Sequence, residues 1–120
     1  MEKTISFDHP QITATTTWKF GKQRFPTKVK AVRYFSLAGL ATHADNWFTG
    51  VLKNGSTVIS SIFDTDTTGA AITAATTADG ALEAAPDTTL AAGDELSLVA
   101  TMGGTATLPY GRVEVDLEVL

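Results

Sequence analysis

Strict alternation of apolar and polar residues dominates this chain, and the period of two places successive side chains on opposite faces of a strand. The last stretch shows it most clearly. Between Arg112 and Leu120, Val113, Val115, Leu117 and Val119 share one face, while Arg112, Glu114, Asp116 and Glu118 share the other. Ile12–Phe20 alternates in the same way, with Ile12, Ala14, Thr16, Trp18 and Phe20 opposed to Thr13, Thr15, Thr17 and Lys19. Lys28–Leu37 also alternates, with Lys28, Lys30, Val32, Tyr34 and Ser36 opposed to Val29, Ala31, Arg33, Phe35 and Leu37. A shorter strand is expected over Lys3–Phe7.

The middle of the chain predicts a hairpin. Trp47–Lys53 and Ser56–Phe63 are β-type runs flanking Asn54-Gly55, a dipeptide suited to the two positive-φ residues of a type I′ turn. Gly93-Asp94 then turns the chain into a strand ending near Met102, Gly103-Gly104 reverses it, and Pro109-Tyr110-Gly111 makes the final corner. Ala70–Thr77 and Ala81–Ala84 are weaker strand candidates. About eight strands with frequent turns and no amphipathic helix predict two packed antiparallel sheets. The expected fold is an all-β, jelly-roll-like β-sandwich formed by residues 1–120 as one domain.

Composition narrows the function classes. No apolar run approaches the roughly 20 residues that a membrane helix requires. Met1-Glu2-Lys3-Thr4 enters an alternating pattern without the apolar core of a signal peptide. Cys is absent, which removes disulfides and thiolate metal sites and fits synthesis in a reducing cytoplasm.

The net charge of −4 is unevenly spread. Residues 1–33 carry seven cations against two acids, whereas residues 34–120 carry two cations against eleven acids. The basic segment is either a surface for an acidic partner or a set of strands neutralised by acidic neighbours. Nucleic acid is not expected, because the chain is acidic and no aromatic interleaving or nucleic-acid motif accompanies the cations.

No catalytic constellation emerges. His43 has Asp45 nearby but no nucleophile turn, and His9 stands alone. Asp64-Thr65-Asp66-Thr67-Thr68-Gly69 has some calcium-loop spacing but lacks the closing Glu and reads as a polar turn. The chain is therefore expected to be neither an enzyme nor a holder of metal or cofactor. Trp18 lies on an apolar face and is expected in the core, whereas Trp47 and Tyr110 sit at strand ends and are candidates for stacking against glycans.

The motifs VLKNGSTV within the hairpin and LAAGDELSLVAT at Leu90–Thr101, followed by an alternating last strand, resemble small β-sandwich proteins of tailed-phage virions. The likeness covers roughly the C-terminal two-thirds and rests on turn chemistry. It implies a head decoration (cement) protein, commonly a homotrimer, made in the host cytoplasm and bound to the major capsid protein on the capsid surface. Lys19, Lys22, Arg24, Phe25 and Lys28 of the basic segment are the candidate capsid contacts. A tail, neck or fibre module, or a carbohydrate-binding sandwich using Trp47 and Tyr110, is the alternative.

Overall fold

The computed structural model describes residues 2–120. Met1, part of the N-terminal pattern read above, lies outside them. The elements are β1 (Glu2–His9), β2 (Thr16–Lys22), β3 (Thr27–Ser36), β4 (Trp47–Asn54), β5 (Thr57–Asp64), β6 (Thr76–Asp79), β7 (Ala81–Leu82), β8 (Thr89–Leu90), β9 (Glu95–Gly103) and β10 (Gly111–Val119). They form two antiparallel sheets. The first has the order β1-β10-β3-β6, with β8 also pairing β3, and the second has the order β2-β9-β4-β5-β7. Without the two-residue β7 and β8, the eight remaining strands run 1-10-3-6 and 2-9-4-5. In that order the chain crosses between sheets at most connections and its first strand ends beside its last, which is the jelly-roll arrangement. The expected sandwich is the observed one, with two short strands added.

The molecule measures 41 × 26 × 24 Å, and its long axis follows the strands, since ten extended residues alone span about 33 Å. Glu2, Leu120, the connection after Lys22, the hairpin tip and residues 91–94 share one end, here the proximal end. The connections 10–15, 37–46, 65–75 and 104–110 share the distal end.

Inward-facing side chains make two adjoining clusters. The larger holds Val29, Val32, Tyr34, Leu52, Ile59, Leu96, Leu98, Val113, Val115 and Leu117, among others. A smaller distal cluster holds Ile12, Phe48, Ala100, Ala106 and Leu108. Trp18, as expected, packs inward and touches both, as do Phe63 and Ile72. Full burial of a Leu, Ile or Phe stabilises by about 1.5–3 kcal/mol, so these layers hold the sheets together.

Three local expectations change. The two-residue hairpin loop is Gly55-Ser56, because Asn54 pairs with Thr57. Gly55 has φ 59° and Ser56 does not share the positive sign, which places glycine at the first central position as in a type II′ turn. In β3 neither alternating set is the buried one. Ala31 pairs with Asp116 while Val29 pairs with Leu117, so Lys30 is the extra residue of a bulge and the inward phase moves from Thr27 and Val29 to Val32, Tyr34 and Ser36. Over Ala70–Thr77 the chain is mostly irregular: Ile72 bridges Leu40, and pairing with β3 begins only at Thr76.

Candidate functional site

Register decides which cations are available to a partner. β3 lies beside β10, so the basic residues of one meet the acidic outer face of the other. Arg33 donates from both terminal nitrogens to Asp116, each at 2.8 Å, and lies 3.5 Å from Glu114. Lys30 reaches Glu118 at 3.5 Å, Lys19 reaches Glu95 at 3.7 Å, and Arg112 donates to Asp8 at 2.9 Å. The hydrogen bonds from Arg33 and Thr4 hold the Asp116 carboxyl down at about 2, and the same contact with Asp116 raises the Arg33 guanidinium. Much of the charge asymmetry is thus cancelled within the sandwich.

Among the described residues, the cations outside these pairs are Lys3, Lys22, Arg24, Lys28 and Lys53. All five lie toward the proximal end, at the ends of strands, on the 23–26 connection or beside the hairpin tip. Phe25, 59% exposed, and Leu120, 62% exposed, share that end, where the Leu120 amide donates to the Pro26 carbonyl. Asp94 ties the same end together, its carboxylate accepting from the Asn54 side chain at 2.9 Å and the Ala91 amide at 2.8 Å.

Of the five expected capsid contacts, Lys22, Arg24, Phe25 and Lys28 therefore lie toward this end. Lys19 and Lys28 stand on the outward faces of different sheets, and Lys19 has a carboxylate partner. Sequence reasoning missed Lys3 and Lys53, which reach this end through strand pairing and the hairpin; no local signal in either stretch marks that meeting.

The glycan candidates separate as well. Trp47 pairs with Gly103 and lies over it on the outer side of the second sheet, half-buried. Tyr110 is 44% exposed beside the first sheet, its hydroxyl turned to Asp8, and the hydrogen bond to that carboxylate raises the phenol above its ordinary value. The two rings occupy one end of the sandwich but opposite sheets. A concavity of about 840 Å³ opens elsewhere, between β4–β5 and β3–β6 under the 69–76 segment. Tyr34, Ile62, Phe63 and Ile72 give it an apolar floor, and Asp64 and Asp79 stand among its polar lining.

The histidines have structural partners. His9 is fully buried between Pro10 and Tyr34: Nδ1 is 2.8 Å from the Pro10 carbonyl and Nε2 is 2.6 Å from the Tyr34 hydroxyl. A carbonyl only accepts, so Nδ1 carries the proton and Nε2 accepts from Tyr34. Burial lowers the His9 pKa and raises that of Tyr34. His43 accepts at Nδ1 from the Asp45 and Asn46 amides at 3.0 and 2.9 Å, folding its own loop. In the Asp64–Gly69 turn, Asp66 accepts from the Thr68 amide and hydroxyl, and Asp64 accepts from the Asp66 amide. These carboxylates shape a polar turn.

The arrangement defines a jelly-roll β-sandwich whose unpaired cations lie toward one end, which also holds Glu2, Asp94, Glu95 and Glu118. No protein-family model matches the chain, and no curated protein does. Among solved structures, a chain of the cyanophage Pam1 capsid asymmetric unit is similar at 17% identity with a TM-score of 0.51, over 99% of this chain and 82% of that one. At that identity the likeness shows a shared fold. An infectious bursal disease virus Gx strain chain aligns at 9% identity and a TM-score of 0.31, over 99% of this chain and 37% of that one. The C-terminal CBM6 of LamC, a laminarinase from Zobellia galactanivorans, aligns at 13% identity and a TM-score of 0.24, over 92% and 70%. Neither of these two bears on the argument.

Proposed function

We propose that this chain is a structural virion protein, a decoration or cement protein that binds the major capsid protein on the outside of a phage head as a homotrimer. The observation that carries the reading is the gathering of Lys3, Lys22, Arg24, Lys28 and Lys53 beside exposed Phe25, at one end of a sandwich whose other cations are paired. Such a surface suits a shell with an acidic, partly apolar docking point. Binding only to the assembled shell stabilises that shell by mass action and needs no reactive group. The jelly-roll fold shared with a chain from a cyanophage capsid supports the same reading.

The test uses shells of the phage that encodes the chain, stripped of this protein, and measures copies bound per shell. Arg24→Glu with Lys28→Gln should lower affinity at least about tenfold, roughly the effect of 1.4 kcal/mol, while the protein stays folded with a melting temperature within a few degrees of wild type. Unchanged occupancy refutes the assignment.

A second reading, glycan binding by a tail, fibre or carbohydrate-binding module, is favoured by the 840 Å³ concavity, which lies within the size range of small-ligand sites. In that reading the sugar sits over Phe63 and Tyr34, with Asp64 and Asp79 accepting its hydroxyls, rather than on Trp47 and Tyr110. Saturable glycan binding that Asp79→Asn weakens, without any affinity for shells, would favour this reading.

A further inference from the structure

The two long flanks of the sandwich differ in shape and charge. On one flank, edge strands β1 and β2 leave a slit of about 250 Å³ lined by Ile5, Phe7, Phe20, Val113 and Val115, with Ser6 and Lys19 also lining it. Phe7 and Phe20 meet edge to face there, and Val113 and Val115 belong to the buried core, so the slit reaches inward. The opposite flank is the 69–88 segment, where Ala and Thr predominate and no residue from Asn54 to Gly111 is Lys or Arg. Leu82 on β7, 39% exposed, is its large apolar side chain at the surface, and Glu83 follows it. Leu82 and Glu83 line a hollow of about 210 Å³ that Lys28 and Lys30 border from β3, and Lys30 is paired with Glu118.

We propose that these flanks meet between copies of the chain, Leu82 of one copy entering the β1–β2 slit of the next and Glu83 approaching Lys19. The slit has several times the roughly 30 Å³ that a water occupies in the liquid, enough for an aliphatic side chain. Lys19 is 69% exposed and only loosely paired at 3.7 Å, so its ammonium is free to turn to a second carboxylate. Asp79 and Asp87 add negative charge to the knob side, while on the slit side Lys3 and Lys22 are offset by Glu2 and Glu95, which leaves Lys19 as the cation nearest the slit. Knob and slit are different surfaces on opposite sides of the molecule, so the contact is heterologous and each copy carries both halves. A rotation that closes gives a ring. The inference rests on the trimeric part of the reading above and names the contact that would build the trimer.

The test needs no shell. Absolute mass by light scattering across a concentration series should show a closed oligomer for the wild type. Leu82→Asp should weaken association at least about tenfold while leaving the melting temperature of the monomer intact. Glu83→Lys should weaken it too, and adding Lys19→Glu to that variant should restore it. Because the chain has no cysteine, Ser6→Cys and Leu82→Cys proteins mixed with oxidised glutathione should form a mixed disulfide dimer. A monomeric wild type at every concentration, an oligomer indifferent to Leu82→Asp, or Leu82→Cys protein that cross-links only to itself would each overturn the proposal. A monomer that still coats shells leaves the decoration reading standing; a ring with no affinity for shells does the reverse.

Discussion

The buried His9–Tyr34 pair sets a stability signature that solution experiments read directly. Tyr34→Phe removes the hydroxyl that donates to His9 Nε2 at 2.6 Å and leaves a buried acceptor unpaired. Such a group costs about 1–3 kcal/mol, and near 2 kcal/mol the melting temperature of a chain this size falls by roughly 8 °C. The pH dependence has a fixed sign. Burial lowers the His9 pKa below its ordinary 6.5, so the unfolded chain takes up the proton first as pH falls. Stability is therefore full above about 6.5 and lost below it, at up to about 1.4 kcal/mol per pH unit, until the folded-state pKa is reached. Carboxylates with lowered pKa values contribute only at lower pH. Urea unfolding of wild type, Tyr34→Phe, His9→Phe and the double variant at intervals from pH 7 to 5 provides the assay. The wild type should lose stability across that range, His9→Phe should flatten the slope, and the cycle should show coupling of about 1 kcal/mol. A flat wild-type profile, or Tyr34→Phe within about 0.5 kcal/mol of wild type, would refute the reasoning.

Three further outcomes are expected. A Cβ at Gly111 would stand 2.5 Å from the Tyr34 hydroxyl, 2.7 Å from His9 Nε2 and 2.8 Å from the Phe35 carbonyl, so Gly111→Ala should cost about 1–3 kcal/mol in denaturant unfolding. Arg33→Ala breaks the two-pronged contact with a partly exposed Asp116 and should cost about 1 kcal/mol, less in molar salt. Asp116 stabilises the fold above its ordinary 3.8 and loses that contribution as pH falls toward about 2, so Arg33→Ala should also blunt acid sensitivity in that window. Docking on a shell through the proximal cations should weaken steadily with salt, as the Debye length shrinks from about 10 Å at 0.1 M to 3 Å at 1 M; salt-independent occupancy would count against an ionic contact.

How much of this was legible in the sequence depended on whether side chains or topology carried the information. β10 could be read position by position, because Val113, Val115 and Leu117 alternate with charges and no bulge intervenes on its own strand. β3 could not. The bulge at Lys30 is a property of the pairing with β10, and it changes the inward phase where both alternating sets contain apolar residues. The hairpin was visible, but the turn was shifted by one residue, since Asn54 keeps its ladder position and Gly55 alone supplies the positive φ. Residues 69–88 gave little, because Ala and Thr bury too little area to fix a phase. The capsid-contact candidates separate in part for a related reason: a lysine's own neighbours in sequence say nothing of the Glu95 that Lys19 reaches on the adjoining strand.

The same topology explains where unbalanced charge ends up. Within the sheets, register sets Arg33 opposite Glu114, while Lys30 and Lys19 reach Glu118 and Glu95 diagonally, and such pairs cost little when half-exposed. The cations without such contacts collect on strand ends and connections of the proximal end, where Lys22 and Lys28 stand in register with Glu95 and Glu118, while Asp45, Asp64 and Asp66 occupy the distal loops. In the docking proposed above, the 41 Å sandwich would meet an acidic surface end-on. Standing that way, it keeps both flanks clear of the surface, so the Leu82 knob and the β1–β2 slit remain available to neighbouring copies. The proposed docking and the proposed self-association therefore use separate faces, and variants at Arg24 and at Leu82 should act independently.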